Sequence, residues 1–239
     1  MISEFQNELK SLSPIYYAAS LFAPSDKRDA LMTLYRFDAE IKRIPSLVSE
    51  QMLGEIRLVW WQEALRGERA EEARLNPLAD AILDVIANDK LPLSAMLQLI
   101  ESEIQSLETF ASTDEREMEA NYGQRYSAVF QLASMILDAD AARHAADACG
   151  HSGIAYGLAH DLVSHRHVVS RDEIVALAKE HLGKARNAIL TLPASLRPAF
   201  LPMVAVEPIL KSAGRASQDE AIGMPSYLSC LWRMLRNKI

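Results

Sequence analysis

Six histidines, His144, His151, His160, His165, His167 and His181, fall within one stretch of 38 residues, and imidazole is the commonest side-chain ligand for zinc and similar metals. The spacing of metalloprotease helices is missing and no glutamate base is built into the set, so the sequence predicts no metal site. Asp161 and His165, four apart, share a helix face and read as an ordinary acid–imidazole surface pair. Asp38 and Glu40 are two apart and point to different helix faces, so they cannot converge on one ion, whereas Asp38 and Lys42 are spaced for an intrahelical ion pair. No glycine-rich phosphate loop, serine-nucleophile motif or Cys–His signature occurs. Cys149 and Cys230 have neither metal-site nor redox spacing and read as reduced core residues.

These groups must be positioned by helices. Only 9 glycines occur in 239 residues, and the Asn-Gly and Asp-Gly hairpin turns between alternating apolar residues are absent. Ser3/Gln6, Ser112/Glu115, Ser170/Glu173 and Ser217/Glu220 fit the capping box, in which each side chain satisfies the other's backbone N–H. Ala30, Leu34, Phe37, Ile41 and Ile44 form the stripe of a helix from Asp26 that ends near Pro45. A second helix from about Ser49 is expected to bury Leu53, Ile56, Trp60 and Ala64, a third follows Pro77, and Pro92 opens a fourth. Helices are expected at 114–137, 139–165, 171–190, 194–213 and 218–237, with Pro193, Pro198, Pro202 and Pro208 breaking or kinking the next-to-last. Trp60 and Trp61 are adjacent, so only one faces the core squarely. No linker or repeat divides the chain, and a single domain over 1–239 is expected.

A formal charge of −7, from 25 Lys+Arg against 32 Asp+Glu, excludes a strong general attraction for nucleic acid. Residues 1–10 carry no basic start followed by an apolar run, and no stretch reaches transmembrane length. A cytoplasmic protein is expected, with peripheral contact at the inner face of the plasma membrane, or at the matrix side of the mitochondrial inner membrane if the chain is processed. The last helix, with Tyr227, Leu228, Leu231, Trp232 and Leu235 followed by Arg236 and Lys238, fits either docking on a membrane surface or packing on the bundle.

The runs Ser13-Pro-Ile-Tyr-Tyr-Ala-Ala-Ser-Leu-Phe22 and Arg28-Asp-Ala-Leu-Met-Thr-Leu-Tyr-Arg-Phe37, then Trp60 or Trp61 and Gly153-Ile-Ala-Tyr-Gly157, resemble the squalene/phytoene synthases. The resemblance implies an all-α helical bundle of the terpenoid (isoprenoid) synthase fold, in which prenyl diphosphates are joined head to head with magnesium held by two aspartate-rich motifs. Counted from Phe37, the first motif's carboxylates fall on Lys42, Arg43 and Ser46; the second motif's glutamine, asparagine and aspartate fall on Gly157, His160 and Ser164. None matches, and Asp161 lies about 100° round the helix from His160.

A closer resemblance is to the non-catalytic branch of this family that contains a mitochondrial complex I assembly factor. It is carried by Phe37–Ile41, Val48–Trp61, His151–Leu162, His181–Arg186, Pro198–Leu201 and Leu228–Arg233. It implies a role in building respiratory complex I, with complex I subunits as protein clients, no catalytic residues and no cofactor. The alternatives are an isoprenoid transferase, which alone would need magnesium, and a protein that binds prenyl or quinone-like lipids.

The candidate remodelled pocket comprises Tyr35, Asp38, Lys42, Arg43, Gly157, His160, Asp161 and Ser164. Two readings compete on the helix expected at 139–165: Gly153, Gly157, His160 and Ser164 line a lipid cavity, or the small residues let a neighbouring helix approach and close it. Lys42 and Arg43 could hold a diphosphate by charge alone, or complement the end of their helix. Tyr16, Tyr17 and Tyr35 read as core anchors.

Overall fold

The computed structural model describes residues 2–48, 50–108, 115–164, 169–215, 225 and 227–236, and among them every regular element is helical. The chain packs as two compact units, residues 1–110 and 111–239. Their boundary lies in a segment that no composition shift marks.

The first unit contains α1 (Ile2–Leu12), α2 (Pro14–Ser20), α3 (Ser25–Arg43), α4 (Gln51–Arg66), α5 (Ala70–Leu75), α6 (Pro77–Asn88) and α7 (Leu93–Glu108). Helix α2 starts because Ser13 accepts a hydrogen bond from the Tyr16 N–H while Pro14 occupies a first-turn position that needs no donor. Asn76 and Pro77 repeat the device for α6, with the Asn76 side chain accepting from the Leu78 and Ala79 N–H groups. Of the expected stripe, Leu34, Phe37, Ile41 and Ile44 are buried and Ala30 is half-buried, Leu31 is buried beside them, and Pro45 falls in the 3-10 turn that follows α3. Helix α4 ends at Gly67, whose φ of 81° is the left-handed cap that glycine adopts without strain.

Helix α4 departs from its expected face. It buries Gly54, Leu58, Trp61, Ala64 and Leu65, and leaves Leu53 at 44% and Ile56 at 57% exposure. Apolar residues line two overlapping stripes of this helix, and periodicity alone cannot choose between them. Trp61 is the tryptophan that faces the core, packing edge-on against Phe37 with ring centroids 5.2 Å apart. Trp60 stands partly exposed and donates through Nε1 to Glu72.

The second unit contains α8 (Glu115–Leu137), α9 (Ala146–Ser164), α10 (Arg171–Leu190), α11 (Arg197–Phe200), α12 (Val206–Ala213) and α13 (Tyr227–Leu235). Ser170 and Glu173 form the predicted capping box at the start of α10. Ser3 lies inside α1, which begins at Ile2, and Ser112 and Ser217 lie outside the described residues. The expected helix at 139–165 begins only at Ala146, after a 3-10 turn over Ala141–His144. The expected helix at 194–213 is four short pieces, because its prolines remove donors and crowd the preceding turn.

Glycines set the contact between α8 and α9. A Cβ on Gly153 would sit 2.5 Å from the backbone N of Ser127, and one on Gly157 would sit 2.4 Å from the Tyr126 ring. The two helices therefore meet at a distance that only glycine allows, which favours the close-packing reading of these small residues over a cavity at the same face.

Candidate functional site

The sequence-derived candidates fall into two groups, one in each unit. In the first, α3 carries Tyr35, Asp38, Lys42 and Arg43. Asp38 is fully buried, and both its oxygens are engaged: Tyr16 donates its hydroxyl to Oδ2 at 2.8 Å, and the Lys42 ammonium donates to Oδ1. Tyr35 stacks on Tyr16 with ring centroids 4.3 Å apart, which fixes the phenol that holds the carboxylate. Lys42 is thus the predicted ion-pair partner. Arg43 bonds Glu40 at 2.9 and 3.0 Å through Nε and Nη2, and Glu40 also accepts from Arg36 at 2.7 Å. Burial raises the Glu40 pKa, but hydrogen bonds from Arg43 and Arg36 outweigh it and hold the carboxyl below its ordinary value.

In the second unit, α9 carries Gly157, His160, Asp161 and Ser164. Asp161 is 5% exposed, so the surface pair expected with His165 is corrected: the carboxylate turns inward to α8, where Tyr122 donates to Oδ2 at 2.8 Å. His165 itself lies outside the described residues. The Asp161 Oδ1 atom is 3.5 Å from His160 Nδ1, too long for a good hydrogen bond, and has no hydrogen-bond partner. Burial acts to raise the Asp161 pKa, but His160, the Arg125 charge and the Tyr122 hydroxyl together leave it below its ordinary value. Burial and the Asp161 charge push the Tyr122 phenol well above its own. Near neutral pH the tyrosine therefore donates and the carboxylate accepts, and no proton moves between them. His160 Nδ1 faces the Tyr126 hydroxyl at 3.4 Å, and the Ser164 hydroxyl turns back onto the His160 carbonyl at 3.2 Å.

A second polar cluster in this unit was not among the sequence-derived candidates. His151 of α9 and His181 of α10 face each other through Nδ1 at 3.0 Å, and His181 Nε2 lies 2.7 Å from Glu119 Oε1 of α8. The histidines are 30 residues apart, a distance that no local spacing rule joins. The His181 ring thus lies between the Glu119 carboxylate on one side and the His151 ring on the other.

Burial, followed by the charges of His181 and Lys184, lowers the His151 pKa from its ordinary 6.5, against the opposing pull of Asp147 and Glu119. The stability this arrangement contributes is complete above 6.5 and is lost as pH falls towards the lower folded-state value, because the unfolded chain takes the proton first. Thermal midpoints measured between pH 7.5 and 5.5 are expected to fall, and His151→Asn is expected to flatten that slope; an equal slope in the variant would remove His151 as its source.

Magnesium requires several hard oxygen ligands. The α3 positions offer one carboxylate already engaged by Tyr16 and Lys42, with Arg43 held by Glu40, and this donor set does not suit it. Among the described residues no three His, Cys, Asp or Glu side chains are grouped to hold a metal ion.

The helical order belongs to a recognised class. The squalene/phytoene synthase family model matches residues 9–162, and the chain belongs to that family. It is similar to NADH dehydrogenase (ubiquinone) complex I assembly factor 6 of Homo sapiens, with 22% identity over 236 residues, 85% of this chain and 71% of the relative. The Rattus norvegicus protein of the same name is 24% identical over the same shares. Among solved structures, squalene synthase HpnC from Alicyclobacillus acidocaldarius matches with a TM-score of 0.69 at 18% identity, over 90% of this chain and 93% of that one. A dehydrosqualene synthase in complex with a ligand matches with a TM-score of 0.74 at 10% identity, over 99% and 95%. The fold is thus that of the squalene synthases, and the all-α terpenoid-synthase expectation holds.

Proposed function

We propose that this chain is a non-catalytic factor in the assembly of respiratory NADH dehydrogenase, acting through contact with subunits of that complex. The observation that carries the reading is its similarity to complex I assembly factor 6 over 85% of its length. The chemistry of α3 supports it: Lys42 supplies from within the chain the positive charge that Asp38 needs, so that a metal ion at that carboxylate would have to compete with a cation already in place.

The contact surface is the outer face of α4, where Met52 at 62%, Leu53 at 44% and Ile56 at 57% exposure adjoin Leu47 at 51%. Clustered apolar exposure of this kind marks interaction surfaces, and methionine adapts to partners of varied shape. The chain works peripherally at the membrane face where the complex is built; among the described residues no helix is long and apolar enough to cross a membrane.

Deleting the chain from its source cells is expected to lower assembled NADH dehydrogenase on native gels while leaving transcript levels of its subunits unchanged. Normal assembly after deletion would overturn the proposal. Incubation of the purified chain with farnesyl diphosphate and magnesium is expected to yield no head-to-head product; such a product would restore the transferase.

A further inference from the structure

Two features of the second unit converge at Glu207 of α12. Its carboxylate accepts hydrogen bonds from Arg186 of α10, at 2.8 Å, and from Lys211 of α12, and Arg233 of α13 lies 3.5 Å away. Hydrogen bonds from Lys211 and Arg186 lower the Glu207 pKa to about 2, so it stays ionised. Three cations on one carboxylate leave a local excess of positive charge in a chain whose formal charge is −7. The cations are not sealed in: Arg186 is 38% exposed and Lys211 57%. Between α10 and α12 they line a shallow cleft, with the exposed Lys179 at the same cleft.

Arg233 ties α13 to this basic cluster, and α13 is two-faced. Cys230 and Met234, four apart, are buried, while Leu228 at 73%, Trp232 at 54% and Leu235 at 68% exposure form a ridge on the other side. Arg236 lays its guanidinium 4.5 Å from the centre of the Trp232 ring. An exposed tryptophan flanked by leucines and arginines matches the interface of a bilayer, where the ring sits at headgroup depth, the leucines reach the acyl boundary and the cations meet lipid phosphates.

We infer that the α13 ridge and the Arg186, Lys211 and Arg233 cluster form a docking surface for an anionic lipid bilayer. The charge decides the occupant. A zwitterionic surface or an apolar protein groove would satisfy the ridge but would gain nothing from the cations, whereas an anionic bilayer satisfies both. The inference rests on the reading that the chain works at a membrane and adds where and through what chemistry it docks.

The test is flotation of the purified full chain with vesicles of phosphatidylcholine alone or with about one third phosphatidylglycerol. Binding is expected only to the anionic vesicles, to weaken at least tenfold with added salt, to be lost at least tenfold in W232S/L235S with its thermal midpoint unchanged, and to weaken several-fold in K211Q, which removes one exposed charge of the cluster and leaves the Arg233 contact in place. Wild-type binding that both variants retain would overturn the assignment to α13 while leaving the membrane reading intact. Wild-type binding to neither vesicle would overturn both, and sedimentation showing a dimer that the W232S/L235S variant dissolves would give the ridge to a second copy of the chain.

Discussion

Replacing Lys42 with Met is expected to destabilise the first unit by about 3 kcal/mol, the scale on which breaking one side of a buried ion pair acts. The reason lies in the environment of Asp38. Its side chain is fully buried, its Oδ2 is held by Tyr16, and the Lys42 side chain, only 10% exposed, sits on Oδ1. Methionine keeps the length and apolar packing of the lysine stem and removes only the charge, so the carboxylate must either stay ionised without its partner or take a proton. The double variant D38N/K42M removes both charges and is expected to recover most of the loss. Urea unfolding midpoints of the wild type, K42M and the double variant measure this; a K42M midpoint equal to wild type would show that the pair carries no weight in the unit.

Gly153→Ala is expected to cost a comparable amount, about 3 kcal/mol, at the upper end of overpacking in a tight core. The added methyl would meet the Ser127 N at 2.5 Å and its Cα at 2.6 Å. These are backbone atoms of α8 and cannot rotate away, so the helices must part. Gly183 is the control: it lies in the interior of α10, where an added methyl would meet no atom within 4 Å. Gly183→Ala is therefore expected to stabilise by about 0.5–1 kcal/mol through its greater helix preference. Opposite signs in the two variants, read as thermal midpoints, would separate close approach from propensity; destabilisation in both would point to propensity-independent effects of any substitution in these helices and remove the packing explanation.

The helical architecture was legible because its signals are local. The α3 stripe, the Ser170 box and the prolines at helix starts each need only neighbours within one or two turns. The short helix α2 carried a local signal as well, in Ser13-Pro14, but it is only 7 residues long and has no full apolar stripe. Where two stripes overlap, as on α4, the face is decided by what α4 packs against, and that is tertiary information. The same limit hid the polar clusters. Asp38 and Lys42 are one turn apart and could be paired from sequence, but the other partner, Tyr16, is 22 residues away. Tyr122 and Asp161 are 39 apart, and His151, His181 and Glu119 meet only because α8, α9 and α10 pack together. Tyr122 and Tyr126, at helical spacing, were the available hint that α8 presents phenols to a neighbour.

The family was also legible, since it rests on residue identity at spaced positions. What α3 then does with an engaged carboxylate was not. On the reading proposed above, a chain that keeps a synthase fold, buries Asp38 against Lys42 and leaves apolar residues outward on α4 is organised for contact rather than for neutralising a diphosphate leaving group.

The measurement that separates contact from chemistry is rescue of a deletion strain, read as assembled NADH dehydrogenase on native gels at matched expression. The α3 variant D38N/K42M should restore assembly as the wild type does, and the α4 face variant L53E/I56E, folded with an unchanged thermal midpoint, should not. Rescue by the face variant together with failure of a folded α3 variant would contradict the account and place the function in the α3 site.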